Sequence, residues 1–370
     1  MQVKALDTPE EFARYVAFGQ AVYGDNSPWV PPDAPHLIQL LSGEGGFGSH
    51  TQIQPFWVEA GDRILATVTA VTSEAYDERW NERLGHLVFF EALPDQNEAV
   101  ATLMRSTDQW FSARNCQGVR MSFLPGMQLG VTIDSYDEVP TVFHAFNPDY
   151  YHSYIKNAGF VTERGVVQYQ VEFTPELAQR YRDMVKRASE SGIVVRSWNF
   201  DDLETETATF AALGNETFSA HWGFMPLPEE VMRGFTVESR DFLIPEFMGF
   251  AEAEGRPVGF VYSVPDLNQA LHPMRDKALE EHFSEFQDRF QQIDHGALLI
   301  IGVKNEFRGR GINLALAAHS YLGMIDHGYK RASYTVVLDD NWPSRRTAEK
   351  LGARVTRSFI VYRRELGHRL

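Results

Sequence analysis

Through the second half of the chain the apolar positions fall into runs whose period switches between two and about three and a half. Phe247 to Ala253 alternates weakly, Glu254-Gly255-Arg256-Pro257 has turn chemistry, and Val258 to Val264 is rich in aromatic and β-branched residues. This predicts a β-hairpin. After a polar, helical stretch from His272 to Gln292, the run Ala297-Leu298-Leu299-Ile300-Ile301-Gly302-Val303 is too apolar for a one-sided strand. It is expected to be central and buried on both faces. Ile312, Leu316, Leu322 and Ile325 then approximate helical spacing up to Gly328, and Ala332 to Leu338 returns to strand character. Pro343 and Ser344 can open a helix that Gly352 closes, and Arg354 to Arg364 alternates as a last strand.

The first half runs through the same order. A hairpin spans Trp57 to Thr72 with its turn at Ala60-Gly61-Asp62-Arg63; a strand at Leu87 to Ala92 and a helix at Asn97 to Arg114 follow. Then come a strand at Val119 to Phe123, a short helix at Pro148 to Ala158 ended by Gly159-Phe160, and an alternating strand at Val166 to Phe173. Asn147 precedes Asn341 by 194 residues and Gly159 precedes Gly352 by 193, so the landmarks keep step. The pattern predicts an α/β protein with mixed sheets, built as two tandem copies of one domain. We place the copies at residues 1–173 and 194–370. Thr174-Pro175 opens a polar helix ending near Ser191-Gly192, which reads as a linker over residues 174–193.

Composition narrows the class. A chain of 370 residues, 44% of them hydrophobic, can bury two cores of ordinary size. It has no apolar run long enough to cross a bilayer, and Met1-Gln2-Val3-Lys4-Ala5 lacks a secretory pattern, which points to a soluble cytoplasmic protein without membrane contact. The net charge of −16, with basic residues scattered, argues against nucleic-acid binding. Cys116, the single cysteine, has no cysteine neighbour to share a disulfide or a metal, and no metal site is expected.

Between the apolar run and the amphipathic helix lies Lys304-Asn305-Glu306-Phe307-Arg308-Gly309-Arg310-Gly311-Ile312-Asn313. Gly309 and Gly311 remove Cβ atoms that would keep the backbone from an anion, and a helix starting at Ile312 adds unpaired N–H groups and a positive dipole end. Arg308 and Arg310 add charge. The segment lacks the Gly-Lys-Ser/Thr of a nucleotide-hydrolase loop and the third glycine of a dinucleotide fingerprint.

The segment resembles the R/Q-x-x-G-x-G/A signature of the GNAT N-acetyltransferase superfamily through Arg308, Gly311 and, imperfectly, Asn313. Asn341-Trp342-Pro343-Ser344 leading to Leu351-Gly352-Ala353, and the turn Glu254-Gly255-Arg256-Pro257, are two further landmarks. The whole chain looks most like a bacterial group of tandem GNAT proteins; mycothiol synthase and the peptidoglycan-bridge aminoacyltransferases are other two-repeat relatives. The resemblance implies an acyl-CoA-dependent N-acyltransferase, with acetyl-CoA as donor and a small amine as acceptor. Val303, Arg308, Gly309, Arg310, Gly311, Ile312, Asn313, Asn341 and Ser344 would bind the donor. Val303 would edge a V-shaped groove whose other wall is Tyr334 to Leu338. In the first copy, Leu93-Pro94-Asp95-Gln96-Asn97 has neither glycine nor arginine at the corresponding place, so that copy is read as degenerate.

The tyrosine acid found in many family members falls here on Ala348. Tyr334 and Tyr362 are the candidates left for a displaced acid. Asp294 and His295 stand just before the apolar strand and are read as turn residues. Trp222 and Asp266, with Glu216, His221 and Phe224, are candidates for acceptor binding. A non-catalytic acyl-CoA or metabolite-binding protein is the alternative, favoured by Ala348. Aminoacyl transfer from tRNA is opposed by the acidic charge balance and the CoA-type loop.

Overall fold

The computed structural model describes residues 1–44, 50–124, 128–226, 228–279 and 281–367. In chain order the first elements are β1 (Gln2–Ala5), α1 (Pro9–Tyr23), α2 (Ala34–Leu41), β2 (Thr51–Ala60), β3 (Arg63–Ser73), α3 (Glu74–Trp80), β4 (Leu84–Ala92) and α4 (Asn97–Ser112). Next come β5 (Gly118–Met121), the short β6 (Phe123–Leu124), β7 (Gln128–Leu129) and β8 (Val131–Thr132), then α5 (Tyr151–Asn157) and β9 (Val161–Glu172). The order continues through α6 (Pro175–Glu190), β10 (Ile193–Ser197), α7 (Leu203–Phe218), α8 (Glu229–Glu238), β11 (Gly249–Ala253), β12 (Arg256–Pro265), α9 (Asn268–Leu271) and α10 (Phe283–Phe290). It closes with β13 (His295–Val303), α11 (Ile312–Asp326), β14 (Arg331–Leu338), α12 (Trp342–Lys350) and β15 (Arg354–Glu365). The mixed α/β repeat expected from the pattern is present.

Two units pack separately: residues 1–166 with 357–370, and residues 167–356. In unit 1 the strands run β1-β2-β3-β4-β5-β15, antiparallel except for β4 and β5. Tyr362 of β15 stands opposite Met121 of β5. In unit 2, β10-β11-β12-β13 are antiparallel and β13 pairs β14 in parallel. Each parallel pair is joined by a helix, α4 or α11, as the crossover between parallel strands requires.

These units differ from the division expected at residues 173 and 194. The strand after α5 gives its residues from Val167 onward to unit 2, and the strand after α12 gives its residues from Arg357 onward to unit 1. Each repeat is thus completed by a strand from the other half of the sequence. Strand pairing is non-local, and no periodicity within β9 or β15 specifies the partner.

Residues 174–193 are not a free linker. Helix α6 is amphipathic; Tyr181 is fully buried and donates its hydroxyl to Leu351 O at 2.6 Å, while Ala178 and Ala188 are buried beside it. It belongs to the core of unit 2 with Val171, Leu316, Tyr321 and Met324. The expected helix from His272 to Gln292 is also broken, with regular α-helix only at α9 and α10. No helix among the described residues is long and apolar enough to cross a membrane.

Candidate functional site

The parallel pair β13–β14 is short. His295 pairs with Arg331, Gly296 with Ala332, Ala297 with Ser333 and Leu298 with Tyr334, and there the register ends, although β13 runs on to Val303 and β14 to Leu338. The strands therefore part beyond Leu298 and Tyr334. Thr335 Oγ1 donates to Leu298 O at 3.1 Å across the point of parting, and Val336 has a φ of 55° just past it. On the other side, the pairing of β13 with β12 shifts between Tyr262 and Ser263, which leaves Leu299 without an opposite partner. A bulge of this kind re-aims the strand.

The parting explains a departure from the sequence expectation. Ala297, Leu298 and Val303 are buried, but Leu299 and Ile301 are only partly covered and Ile300 is exposed. The run is apolar throughout, yet its middle lines an opening. Its β14-facing backbone edge is left unpaired by β14 there, so it can pair with an extended ligand.

At the far end of β13 the chain turns through Lys304 to Gly311 into α11. Gly309 and Gly311 have φ of 80° and 79°, a region that costs a residue with a Cβ about 1–2 kcal/mol. A Cβ built on either glycine would meet no atom within 4 Å. The backbone therefore faces open space, as an anion cradle must. Gly311 directly precedes Ile312, the first residue of α11, which brings the helix N-terminus to the loop. Arg308 is used structurally: Nε donates to Val303 O at 3.2 Å and a terminal nitrogen to Thr217 O at 3.3 Å. Arg310 is exposed beside Phe307, with its guanidinium 5.6 Å from the ring centre. Asn313, in the first turn of α11, has a buried amide oxygen without a hydrogen-bond partner.

Asn341 caps α12, its Oδ1 accepting from Ser344 N at 3.3 Å. Its Nδ2 lies 3.5 Å from Nε2 of His221, in the connection between α7 and α8. Burial, then the charge of Arg308, holds His221 below the ordinary imidazole pKa. Tyr334 is buried at the point of parting and its pKa is pushed up to about 12 by burial. Its hydroxyl shares a hydrogen bond with Ser344 Oγ. Unit 2 thus brings together Val303, the glycine loop, Tyr334, Asn341, Ser344 and His221.

Other candidates stand elsewhere. Tyr362 belongs to unit 1, where its hydroxyl lies 2.6 Å from His152 Nδ1. Asp266, expected to meet an acceptor, is 4% exposed and faces His295 Nδ1 at 3.0 Å. His295, read as a turn residue, opens β13 and is buried, with Nε2 2.8 Å from Ser333 Oγ. Sequence reasoning missed Ser333; it carries no spacing signal, because its partners come from other strands. Trp222 and Phe224 are half-buried in the α7–α8 connection, and Glu216 pairs with Lys304 at 2.9 Å.

Unit 1 repeats the geometry without the opening. Its parallel pair also lasts from Leu84–Gly118 to Leu87–Met121. The edge of β4 beyond it is taken up by α5 and its flank: Tyr150 donates to Ala92 O at 2.8 Å, Ala92 N donates to Tyr151 Oη at 2.7 Å, and Tyr154 donates to Leu93 O at 2.9 Å. Gln96 N donates to Tyr154 Oη at 2.7 Å. Backbone groups that a ligand would need are already satisfied. Among the described residues no cluster of His, Cys, Asp or Glu could hold a metal.

Residues 209–353 match the Acetyltransferase (GNAT) family. Over its full length the chain is similar to the bacterial ceramide synthase of Caulobacter vibrioides, at 24% identity with 99% of this chain and 98% of that protein covered. It is also similar to protein YghO of Escherichia coli K12, at 18% identity over 98% of this chain and 95% of the other. Among solved structures, a tandem GNAT protein from the clavulanic acid biosynthesis pathway aligns over 100% of this chain and 99% of its own, with a TM-score of 0.56 and 9% identity. That likeness shows the fold, a tandem pair of GNAT-like domains.

Proposed function

We propose that this chain, whose second unit carries a GNAT-family domain, is an acyl-CoA-dependent N-acyltransferase that uses unit 2 as its donor site. The observation that carries the reading is the parting of β13 and β14 beyond Leu298 and Tyr334, with the Gly309–Gly311 loop at the end of the longer strand. The free edge of Leu299 to Ile301 suits the amide-bearing arm of a coenzyme A thioester, which can pair with it as a strand does. The loop amides and the α11 N-terminus suit its pyrophosphate, with Arg310 and the rest of the donor set, Val303, Arg308, Ile312, Asn313, Asn341 and Ser344, framing the site. Holding nitrogen against a thioester carbonyl in a fixed geometry supplies much of the rate by itself.

Acetyl transfer to a small amine is the simplest form of the reading. The full-length similarity to a protein named as a ceramide synthase supports a second form, since a ceramide is an N-acylated long-chain amino alcohol. One experiment separates them: release of CoA thiol by the full chain, with acetyl-, octanoyl- and palmitoyl-CoA each offered with small amines, polyamines, amino acids and a long-chain amino alcohol. Thiol release dependent on an amine supports an N-acyltransferase, and the pair turned over fastest names its form. Stoichiometric acyl-CoA binding without amine-dependent release across the panel overturns the enzyme in favour of a binding protein, the role that Ala348 allows.

A further inference from the structure

We infer that Ser333, His295 and Asp266 form the proton-accepting relay of the acyl-transfer site, an inference that rests on the N-acyltransferase reading of unit 2. The three residues come from separate parts of the sequence: Asp266 follows β12, His295 opens β13 and Ser333 lies in β14. Asp266 Oδ2 is 3.0 Å from His295 Nδ1, and His295 Nε2 is 2.8 Å from Ser333 Oγ. A carboxylate only accepts, so Nδ1 carries the proton that Asp266 receives, and Nε2 is left as the acceptor. Gln168 of β9 donates its amide to Ser333 Oγ at 3.2 Å, which turns the serine's own proton toward Nε2.

The backbone fixes this chain. Asp266 N donates to His295 O at 2.9 Å, and Gln269 Oε1 accepts from Asp294 N and His295 N, each at 3.1 Å. All three side chains are buried, His295 at 6%, Asp266 at 4% and Ser333 at 0% exposure. Burying an ionisable pair is costly, and neither the fold of unit 2 nor its donor loop requires one here. Its placement is informative. Ser333 pairs with Ala297, one position before the Leu298–Tyr334 pair at which the strands part, so the relay ends within about one residue's rise of the opening.

The step balances as follows. An amine that arrives as its ammonium gives one N–H proton to Ser333 Oγ while Ser333 gives its hydroxyl proton to His295 Nε2; the imidazolium is stabilised by the Asp266 carboxylate. The freed lone pair forms the C–N bond to the thioester carbonyl, the C–S bond breaks, and the thiolate takes the second surplus N–H proton. His295 then returns its proton to water. Ser333 is the group that meets the acceptor, and His295 and Asp266 act through it.

The test is thiol release by the full chain, at saturating acyl-CoA, with two acceptors: a primary alkylamine, which is an ammonium at neutral pH, and an aryl amine, which is not. For Ser333→Ala, His295→Gln and Asp266→Asn, kcat with the alkylamine is expected to fall by about 10²-fold or more, the scale of a lost general base. With the aryl amine it is expected to fall by less than about tenfold, because that nitrogen needs no prior deprotonation. Acyl-CoA affinity, by calorimetry, should stay at the wild-type value. Equal losses with the two acceptors mark a structural role and overturn the relay, as does unchanged activity in the variants. So does a selective alkylamine loss appearing in His221→Gln instead, which would move the base to the α7–α8 connection. Should His295→Gln fail to fold, Ser333→Ala decides alone, since it removes a single oxygen. Wild-type protein that releases no thiol with any amine overturns the N-acyltransferase reading itself, and the relay with it, an outcome distinct from an active wild type with indifferent variants.

Discussion

The hydroxyls of Tyr334 and Ser344 share a hydrogen bond of 2.9 Å, which ties β14, where it leaves β13, to the first turn of α12. Because burial pushes the Tyr334 pKa up to about 12, its hydroxyl keeps its proton throughout the neutral range. It already has a partner, which favours a bracing role over an acid. Tyr334→Phe is expected to cost about 1 kcal/mol of stability and less than about tenfold in kcat, against about 10²–10⁴-fold for a lost general acid. Tyr362→Phe, in unit 1, is expected to keep its activity also. Thiol release and denaturant unfolding of the two variants check both statements. A hundredfold fall in kcat with normal acyl-CoA binding in either would identify that tyrosine as the acid.

Gly311 has a φ of 79° and faces open space. Gly311→Ala should weaken acyl-CoA binding about tenfold through backbone strain of about 1–2 kcal/mol. Gly311→Trp should abolish it by filling the cradle. Both variants should fold, because nothing lies within 4 Å of the new Cβ. Calorimetry on the wild type should give one acyl-CoA per chain, since tyrosines occupy the corresponding edge in unit 1. Two sites per chain, or undiminished binding by Gly311→Trp, would count against the donor site described here.

Buried His86 of β4 donates from Nδ1 to Phe123 O at 3.0 Å, and burial, helped by the charge of Arg120, pulls its pKa down to about 3. The folded protein therefore refuses a proton that the unfolded chain accepts near pH 6.5. This contribution to stability is complete above about pH 6.5 and is lost as pH falls from 6.5 toward 3, at about 1.4 kcal/mol per pH unit in the steep range. Urea unfolding at pH 7.5 and 5.5 should show the wild type losing about 1 kcal/mol more than His86→Gln between the two conditions. Parallel losses would show that another group governs the acid limb.

Unit 1 includes residues 357–370, and unit 2 begins at residue 167. A fragment of residues 194–370 therefore lacks α6 and the β9 residues of its own unit, including Tyr181 and Gln168, and carries a strand of the other. It is expected to be insoluble or molten when expressed alone. Residues 1–173 should fail in the same way for want of β15, whereas co-expressed 1–173 and 174–370 should recover a soluble complex. A cooperative unfolding transition in isolated 194–370, with wild-type acyl-CoA affinity, would show the exchange to be dispensable.

By itself the sequence determined the repeated order of strands and helices, the hairpin turns, the glycine loop opening α11 and the Asn341 cap. Each of these depends on residues close in the chain: turn glycines, an N-cap, an apolar period of two or near three and a half. The same locality made the degenerate first copy legible, because its missing glycine and arginine sit at one short segment. Tertiary structure alone decided the rest. Leu299 to Ile301 look like any buried strand until β14 turns away and exposes them, and a helix that reads as a linker becomes core once Tyr181 finds Leu351. Where β9 and β15 belong is a matter of pairing across more than a hundred residues, which no local pattern encodes. The chain from Asp266 through His295 to Ser333 is of the same kind, since three ordinary residues acquire a shared chemistry only when the sheet aligns their strands.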